Sequence, residues 1–416
     1  MVSKFKNIPI GWKVKLSSDV LFFQEGPGVR KWQFKQEGVK LLNGGNINNN
    51  TINLSSTKHY LSEDEAYNKY KHFLIDEGDL LIACSGITIN TFYKKIAFIK
   101  RKDLPLCLNT STMRFKSLSG IELRYFFYYL QTKYFTKQIQ KLITGSAQLN
   151  FGPSHMGKIE ILLPPLDQQK KIAAILDAAD AYRQKTKALI QKYDELTQSL
   201  FIDMFGDPVT NPMEWEKVPF GNFITVLTDY HSNGSYESLR KVVTLKSEPD
   251  YALMVRTTDL ENNNFTNGVN YIDEVAYNHL DKSKVFGGEI IINKIGSAGK
   301  VYRMPKLNRP VSLGMNAFLL RFNELIDDMF LYFQLVSPHG EREIKKRVKG
   351  AVTKTIRKDA VREVPLISPP LELQNQFAER VQAIEAQKAQ AQASLAQAED
   401  LFNSLLQKAF KGELTS

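Results

Sequence analysis

The stretch Leu162-Leu163-Pro164-Pro165-Leu166 opens about forty residues, up to Phe205-Gly206, that contain neither proline nor glycine. A prolyl start and a glycine stop are typical of the two ends of a helix. The arrangement recurs 205 positions later, where Ile367-Ser368-Pro369-Pro370-Leu371 opens an equally long run that ends at Phe410-Lys411-Gly412. Each run follows a mixed region of its own, so the chain is a tandem repeat.

The two mixed regions also correspond to each other. Both open on a Pro-x-x-Trp pattern, at Pro9 and at Pro212. Late in each region an aromatic segment reads as a helix, 121–130 in the first region and 326–335 in the second, and we expect both to pack into a core. Four short apolar runs predict buried strands between polar loops: Leu80–Ile82, Ile96–Ile99, Ile290–Ile292 and Ala317–Leu320.

Heptad stripes run along both long segments, with alternating steps of three and four that predict a coiled-coil seam. The first stripe is Ile172, Ile175, Ala179, Tyr182, Thr186, Leu189, Tyr193, Leu196 and Leu200. The second is Phe377, Val381, Ile384, Ala391, Leu395, Ala398, Phe402 and Leu405, interrupted by Lys388. A lone rod of roughly 60 Å would leave its stripe in water, so we expect the helices to pair with each other. The predicted fold class is α+β: two tandem mixed α/β regions separated by two long helices packed as an antiparallel coiled coil.

Composition indicates an ordinary intracellular protein. Hydrophobic residues make up 43% and charged residues 24% of the 416 residues, and no apolar run approaches the roughly 18 residues of a membrane span. Met1–Asn7 lacks the apolar core of a secretory signal. Cys84 and Cys107 are the only cysteines, which excludes a disulfide scaffold. We therefore expect a soluble, reduced, cytoplasmic chain without a membrane partner.

The net charge of +11 lies in the mixed regions. Residues 1–166 carry 23 basic and 12 acidic side chains, whereas the first long helix, 167–205, has six of each. Residues 206–371 have a net charge of +2, and the second helix, 372–410, has −2. This division favours globular regions that meet a polyanion and helices that meet protein.

No pattern of catalytic residues stands out in the sequence. The six histidines show no metal-ligand spacing. Gly296-Ser297-Ala298-Gly299-Lys300 hints at a phosphate loop, but Lys294 and Val301 occupy positions where a Walker motif needs Gly and Ser or Thr. Neither a methyltransferase fingerprint nor a nuclease carboxylate set is present. We therefore predict no catalytic, metal or cofactor-binding residue, and a chain that binds.

Basic and amide side chains at similar places in both halves predict contacts with DNA. The tight loop around Ser297 presents two lysines that can grip a phosphate, and Gln and Asn side chains are natural partners of adenine. The predicted DNA-binding residues are Lys141, Thr144, Ser146, Gln148, Asn150, Lys158, Lys294, Ser297, Lys300, Lys345, Lys346, Arg347, Lys349, Thr353, Lys354, Arg357 and Lys358.

Together these features resemble the DNA specificity subunit of type I restriction–modification enzymes, over essentially the whole chain. The matching motifs are Gly11-Trp12, Gly78-Asp79-Leu80-Leu81, Gly288-Glu289-Ile290-Ile291, Gly145-Ser146-Ala147-Gln148 and Leu163-Pro164-Pro165-Leu166-Asp167-Gln168-Gln169. The second copy departs from the pattern: Ser368 replaces the Leu before the prolines, Trp215 lacks its preceding Gly, and Gly350-Ala351-Val352-Thr353 lacks the Gln.

The resemblance implies four segments: a target recognition domain at 1–163, a spacer helix at 164–206, a second target recognition domain at 207–368, and a second helix with its tail at 369–416. Each domain would read half of a bipartite site on double-stranded DNA, and the helices would set the unread spacer. It also implies a bacterial or archaeal source and partners that do the chemistry. Two modification (methyltransferase) subunits would hold S-adenosylmethionine, and ATP-dependent restriction subunits would use ATP and Mg²⁺.

Two alternatives stay open at this point. The chain could be a catalytic nuclease or methyltransferase with an unrecognised site, in which case it would modify DNA without a partner. It could also be a coiled-coil scaffold with no nucleic-acid role, and DNA affinity that did not fall with added salt would favour that reading.

Overall fold

The computed structural model describes residues 8–55, 57–88, 91–143 and 150–414. The chain packs as two compact units. Residues up to Thr186 together with those from Ser394 onward form the first unit, and Lys187–Ala393 form the second unit. Each unit therefore holds one mixed region and parts of both long helices. The boundaries of the four segments expected from the sequence stay a prediction.

The first half of the chain contains a set of short strands and helices followed by one long helix. Its strands are β1 (Lys13–Leu16), β2 (Leu21–Glu25), β3 (Val39–Leu42), β4 (Ile47–Asn48), β5 (Thr51–Ile52), β6 (Tyr60–Leu61), β7 (Leu80–Ala83), β8 (Ile96–Phe98), β9 (Leu106–Leu108), β10 (Thr112–Ser117) and β11 (Glu160–Leu163). Its helices are α1 (Ser17–Val20), α2 (Leu123–Tyr129), α3 (Lys133–Leu142), α4 (Pro153–Met156) and α5 (Leu166–Phe205).

The second half repeats this plan. Its strands are β12 (Lys217–Pro219), β13 (Ile224–Asp229), β14 (Ala252–Val255), β15 (Asn270–Ile272), β16 (Lys284–Val285), β17 (Ile290–Asn293), β18 (Val301–Arg303), β19 (Val311–Leu313), β20 (Ala317–Phe322) and β21 (Pro365–Ile367). Its helices are α6 (Tyr236–Val242), α7 (Thr257–Glu261), α8 (Glu274–His279), α9 (Asp328–Val336), α10 (Pro338–Arg347), α11 (Lys358–Arg362) and α12 (Leu371–Ala409).

Sheet topology confirms the repeat among the described residues. The order β2-β10-β7-β8 in the first unit matches β13-β20-β17-β18 in the second, and every pair in both sheets is antiparallel. A second sheet contains one parallel pair, β3 with β9 and β14 with β19. The four predicted strands are confirmed as parts of β7, β8, β17 and β20, with β8 ending one residue early.

The aromatic helices α2 and α9 lie in the cores, as predicted. Tyr125–Tyr129 are all buried in α2, and Phe330 and Leu335 are buried in α9. A carboxylate caps the first turn of each helix, because Glu122 accepts from the backbone of α2 and Asp327 from that of α9. The aromatic residues therefore stabilise the fold and do not stack on bases.

One buried glutamine at the start of each long helix joins it to the aromatic helix. In the first unit, Gln169 Oε1 accepts from the Glu122 N–H at 2.9 Å, and its Nε2 donates to the carbonyls of Gly120 and Pro164. In the second unit, Gln374 Oε1 accepts from the Asp327 N–H at 2.9 Å, and its Nε2 donates to the Pro369 carbonyl at 2.8 Å. Gln374, Asp327 and Pro369 lie 205 positions after their counterparts, so the repeat holds at the level of single hydrogen bonds.

The acidic residue of the Gly-Asp-Leu-Leu and Gly-Glu-Ile-Ile motifs has a structural role in each unit. The Glu289 carboxylate accepts from the backbone N–H groups of Phe286 and Gly287 at 2.9 and 2.7 Å and pairs with Arg321 at 3.3 Å. Asp79 likewise accepts from the Asp76 N–H at 3.0 Å. Both acids are buried, Asp79 at 3% and Glu289 at 5% exposure, and a buried carboxylate needs such hydrogen-bond partners.

Each mixed region closes on the end of a long helix. In the second unit, the ring of Phe205 at the end of α5 packs against that of Phe330 in a tilted arrangement, with centroids 4.6 Å apart. In the first unit, Phe410 just after α12 contacts Tyr125 at 5.0 Å. The glycines that stop the helices adopt φ of +75° and +79°, and a Cβ on Gly412 would lie 2.5 Å from Pro9. The Gly stop and the Pro-x-x-Trp opening therefore pack together.

The long helices pack against each other in antiparallel fashion, as predicted. Within the second unit, the Lys388 ammonium lies 2.5 Å from Asp194, and Phe377 contacts Phe205 at 5.4 Å, so residue numbers rise along α5 while they fall along α12. Within the first unit, the Arg183 guanidinium lies 4.1 Å from the Phe402 ring. Lys388 interrupts the apolar seam, as expected, and its ammonium group is neutralised by the ion pair with Asp194.

Four of the nine positions in the stripe predicted for α5 are wrong. Ile175, Tyr182, Leu189 and Leu196 are exposed, at 36%, 53%, 43% and 49%. The face toward α12 instead carries the residues next to them in sequence: Leu176 and Thr197 are buried, and Arg183 contacts Phe402. The stripe predicted for α12 is confirmed, with Phe377, Val381, Ala391, Ala398 and Phe402 all buried. Apolar residues occupy two adjacent faces of α5, which is why periodicity chose the wrong one.

Candidate nucleic-acid interface

Three loops of the second unit join into one surface, here named the basic loop cluster: residues 294–300, 314–316 and 348–358. Backbone hydrogen bonds tie them together. The Lys294 N–H donates to the Asn316 carbonyl at 2.7 Å, the Gly296 N–H to the Lys354 carbonyl at 3.1 Å, and the Ile356 N–H to the Lys294 carbonyl at 3.1 Å. Loops separated by up to sixty positions in sequence thus present their side chains together.

Two glycines make this cluster possible. Gly299 has φ of +86°, and a Cβ there would lie 2.7 Å from the Ile344 side chain. Gly350 has φ of +106°, and a Cβ would lie 2.1 Å from the Thr353 carbonyl oxygen. Glycine adopts these conformations without strain, whereas other residues rarely do, so both loops depend on glycine at these turns.

The predicted cations fall into two groups, and the first is unengaged. The side chains of Lys349, Lys354 and Arg357 are exposed and make no ion pair or hydrogen bond within the described part of the chain. Ser297 and Thr353 are exposed beside them and are also unengaged among the described residues. These side chains are available for a polyanion, since mobile exposed cations contact phosphates without first breaking an internal pair.

The second group is held in internal pairs. On α10, Lys345 pairs with Glu341 at 2.9 Å, and Lys346 and Arg347 pair with Glu343 at 2.5 and 3.1 Å. The Lys345–Glu341 pair is exposed and therefore weak, so phosphate can compete for Lys345. Glu343 is buried, and Arg347 also donates to the Glu343 and Glu363 carbonyls, so Arg347 is held in the fold.

Both lysines of the tight loop also have partners. Lys294 pairs with Asp229 at 2.8 Å, Lys358 lies 4.0 Å from the same carboxylate, and Lys300 pairs with Glu261. Burial of Asp229 opposes its charge, but hydrogen bonds from Lys294 and Ser232 outweigh that effect and lower its pKa. Lys294 therefore fixes the loop from within, and Lys300 lies at its exposed rim.

In the first unit the predicted contacts are sparser. Lys141, in the last turn of α3, and Lys158 are exposed. Asn150 holds a turn, because its Oδ1 accepts from the Ser85 hydroxyl at 2.9 Å and from the Gly86 N–H at 3.0 Å. The predicted base readers Thr144, Ser146 and Gln148 lie outside the described residues.

Residues that the sequence did not single out line a cleft of about 410 Å³ beside the basic loop cluster. Its exposed rim includes Tyr236 and Arg240 of α6 and Met315 and Asn316 of the 314–316 loop. One local feature marks this loop: Asn316 adopts a left-handed φ of +73° in the turn Gly314-Met315-Asn316. No periodicity reports it.

Thiol and metal chemistry find no support in the described part of the chain. Cys84 and Cys107 are buried, and burial raises the pKa of each thiol to about 12, so neither is a ready nucleophile. Residues 8–55, 57–88, 91–143 and 150–414 contain no group of three or more His, Cys, Asp or Glu side chains placed to hold a metal ion. Among these same residues no helix is both long and apolar enough to cross a membrane.

The chain is similar to specificity subunits of known type I restriction enzymes. The chain is 30% identical over 204 residues to the type I restriction enzyme MjaVIII specificity subunit of Methanocaldococcus jannaschii, which covers 48% of this chain and 47% of that protein. It is 25% identical over 283 residues to the EcoBI specificity subunit of Escherichia coli, covering 61% and 58%. The chain thus spans about half the length of these curated relatives.

Fold and family agree. The S subunit of a type I restriction–modification system from M. genitalium superposes with a TM-score of 0.57 at 16% identity, over 98% of each chain, which shows a shared fold. The family described as the type I restriction modification DNA specificity domain matches residues 9–198 and again residues 212–399. The two matches cover both mixed regions and most of both long helices, so the chain belongs to the type I restriction–modification DNA specificity domain family and carries that domain twice.

Proposed function

We propose that this chain is the specificity subunit of a type I restriction–modification complex, in which each mixed region is a target recognition domain that reads one half of a bipartite site on double-stranded DNA. The observation that carries the proposal is the double match to a DNA specificity domain, one over each mixed region. Five exposed cations support it electrostatically: Lys141 and Lys158 in the first unit, and Lys349, Lys354 and Arg357 in the second.

Phosphate contact and base reading fall to different side chains in this proposal. The cations of the basic loop cluster hold the DNA backbone, which positions the protein without reading sequence. Sequence is read by amide, hydroxyl and guanidinium groups that reach the major groove. The affinity for DNA should therefore fall steeply with added salt. A DNA affinity that did not change with salt would favour a scaffold role instead.

The long helices α5 and α12 set the distance between the two half-sites. A helix rises 1.5 Å per residue, so about forty residues span roughly 60 Å, and half-sites one helical turn apart are separated by about 34 Å. The Lys388–Asp194 pair supports this role, because a charged pair in a coiled-coil seam is satisfied in one register only.

Exposed apolar residues on α5 fit the docking of modification subunits. Ile175 and Tyr182 in the first unit, and Leu189 and Leu196 in the second, lie at steps of seven and are 36% to 53% exposed. A row with this spacing is complementary to a further helix. The adenine methylation with S-adenosylmethionine, and the ATP- and Mg²⁺-dependent cleavage, then belong to the modification and restriction subunits, and this chain has no catalytic role.

Sequence selection by the assembled complex tests the proposal. The full chain is purified with its modification subunits and incubated with a randomised duplex library at two salt concentrations, and the bound DNA is sequenced. We expect two short conserved blocks separated by an unread spacer of fixed length. Enrichment of no sequence, or methylation of DNA by this chain alone, would contradict the proposal.

A matched insertion tests the spacer role separately. Seven residues, one heptad, are added after Asp194 in α5 and before Lys388 in α12, so that the seam keeps its phase and each helix gains about 10 Å. We expect a spacer about three base pairs longer and unchanged half-sites. The control adds seven residues to the exposed loop at Asn262–Asn264, which should leave both spacer and half-sites unchanged.

A further inference from the structure

The cleft beside the basic loop cluster is lined by polar groups that the fold does not use. Tyr236, at the first position of α6, is 65% exposed, and Arg240 is exposed in the last turn of the same helix. Thr257 and Thr258 at the start of α7 line the opposite wall, and Met315 and Asn316 complete the rim. In the described part of the chain, the side chains of Tyr236, Arg240 and Asn316 make no hydrogen bond or ion pair.

A neighbouring arginine shows what a structural arginine looks like at this cleft. Arg256 also lines it, and its guanidinium donates to both Asp259 carboxylate oxygens at 2.6 to 3.2 Å and to the Gly268 carbonyl at 2.7 Å. Asp259 is 4% exposed, so Arg256 is committed to the fold. Arg240 has no such partner and keeps all five of its donors free.

The cleft and the basic loop cluster share a wall. The Asn316 carbonyl accepts from the Lys294 N–H at 2.7 Å, and Lys294 Nζ pairs with Asp229 at 2.8 Å. Asp229 caps the short helical turn Tyr230–Asn233, which leads directly into α6. The 314–316 loop therefore belongs both to the basic loop cluster and to the rim of the cleft.

We propose that the rim of this cleft is the base-reading surface of the second target recognition domain, with Arg240 reading a guanine and Asn316 reading an adenine of its half-site. This inference rests on the proposed function. An arginine fork matches the O6 and N7 acceptors of guanine, and a carboxamide matches the N6 donor and N7 acceptor of adenine. Both side chains are unpaired, so binding DNA costs no internal hydrogen bond.

The aromatic and apolar members of the rim have a complementary role. Tyr236 and Met315 are 65% and 48% exposed and line the same cleft as Arg240 and Asn316. When DNA is bound, these two large side chains would help to exclude water from the two polar contacts. A guanidinium–base contact that is shielded from water discriminates more strongly than an exposed one.

Sequence selection with single variants of the full chain tests the assignment. The complex with modification subunits is tested as wild type, Arg240→Ala and Asn316→Gly, with glycine chosen because it accepts the φ of +73° at this position. We expect each variant to lose the preference for one base pair of one half-site by about 10- to 100-fold, guanine for Arg240→Ala and adenine for Asn316→Gly. The other half-site should stay unchanged.

Two matched controls separate reading from charge and from backbone effects. Arg342→Ala removes an exposed, unpaired arginine of α10 outside the cleft, and should weaken binding to all sequences alike. Asn263→Gly replaces another exposed asparagine of positive φ, +46°, and should have no effect on selection. If Arg240→Ala does not fold, Arg240→Met keeps most of the aliphatic stem without the guanidinium donors and carries the same expectation.

The outcomes are distinguishable. Loss of one position each, within a single half-site, supports the assignment. A wild-type complex that selects a bipartite sequence, with both variants selecting the same sequence equally well, overturns the assignment and leaves the proposed function intact. A wild-type complex that selects no sequence overturns the proposed function, and the assignment with it.

Discussion

Replacing Gln374 with alanine tests the claim that one glutamine joins each long helix to its aromatic helix. Gln374 is 1% exposed, and its amide accepts from the Asp327 N–H at 2.9 Å and donates to the Pro369 carbonyl at 2.8 Å. In the variant both backbone groups stay buried and lose their partner. The site lies inside the fold, so water cannot replace the amide without opening the helix start.

The expected loss follows from these two groups. A buried donor or acceptor left without a partner costs about 1–3 kcal/mol, so two of them destabilise the second unit by about 3 kcal/mol. For a unit of roughly 200 residues this corresponds to a fall in Tm of about 6–12 °C. Gln169 makes three such bonds in the first unit, and Gln169→Ala should therefore cost about 1 kcal/mol more.

Hydrogen exchange followed by mass spectrometry is the suitable assay, because it reports on each unit of a multidomain chain separately. We expect faster exchange at the start of α9, where Asp327 loses its acceptor, together with the lower unfolding temperature. The matched control is Gln376→Ala, on the exposed side of the same helix turn, where the change should stay within about 0.5 kcal/mol. If Gln374→Ala behaves like Gln376→Ala, the bridge is not what holds these helices together.

Three further predictions concern stability. Phe410→Ala should destabilise the first unit by about 3–5 kcal/mol in urea unfolding, because Phe410 is 1% exposed in its core, and a change below 1 kcal/mol would exclude that packing role. Lys388→Met should be neutral or stabilising in the same assay, since it removes a desolvated charge from the seam and leaves Asp194 half exposed, whereas a large loss would contradict this. Because the pKa of Asp229 is lowered in the folded chain, its contribution is present above its unfolded pKa of about 3.9 and is lost as pH falls through the folded value. Asp229→Asn should abolish this part of acid unfolding below about pH 4, seen by circular dichroism.

The repeat and the main elements could be predicted from the sequence because they follow local rules. Proline and glycine mark the ends of α5 and α12, and apolar runs mark the central strands. The phase of the coiled-coil seam could not be predicted for α5. Its apolar residues form two adjacent stripes, and the stripe that contains Tyr182 and Leu196 looks better in sequence than the one that contains Arg183 and Thr197. Contact with α12 decides between them, and periodicity does not record that contact.

The candidate interface was predictable as a set of cations but not as an arrangement. Lys349 and Lys354 stand free, whereas Lys294 is neutralised by Asp229, which lies 65 positions earlier in the chain. Such pairings depend on which loops meet, and loop side chains have no period. Arg240 and Asn316 were missed for the same reason, since they belong to segments about seventy-five residues apart that meet only in the folded unit.

The placement of Phe410 has a consequence for the order in which the two units complete their cores. The first unit includes residues from Ser394 onward, and its core contains Phe402, Ala409 and Phe410. The second unit, Lys187–Ala393, is continuous in sequence. During synthesis the second unit can therefore complete its core as soon as its own residues have been made. The first unit is synthesised earlier, but its core stays incomplete until the last turns of α12 are made, because Phe410 covers Tyr125. The core of the first unit therefore depends on residues that are synthesised after the whole second unit, although domains generally fold in the order in which they are made.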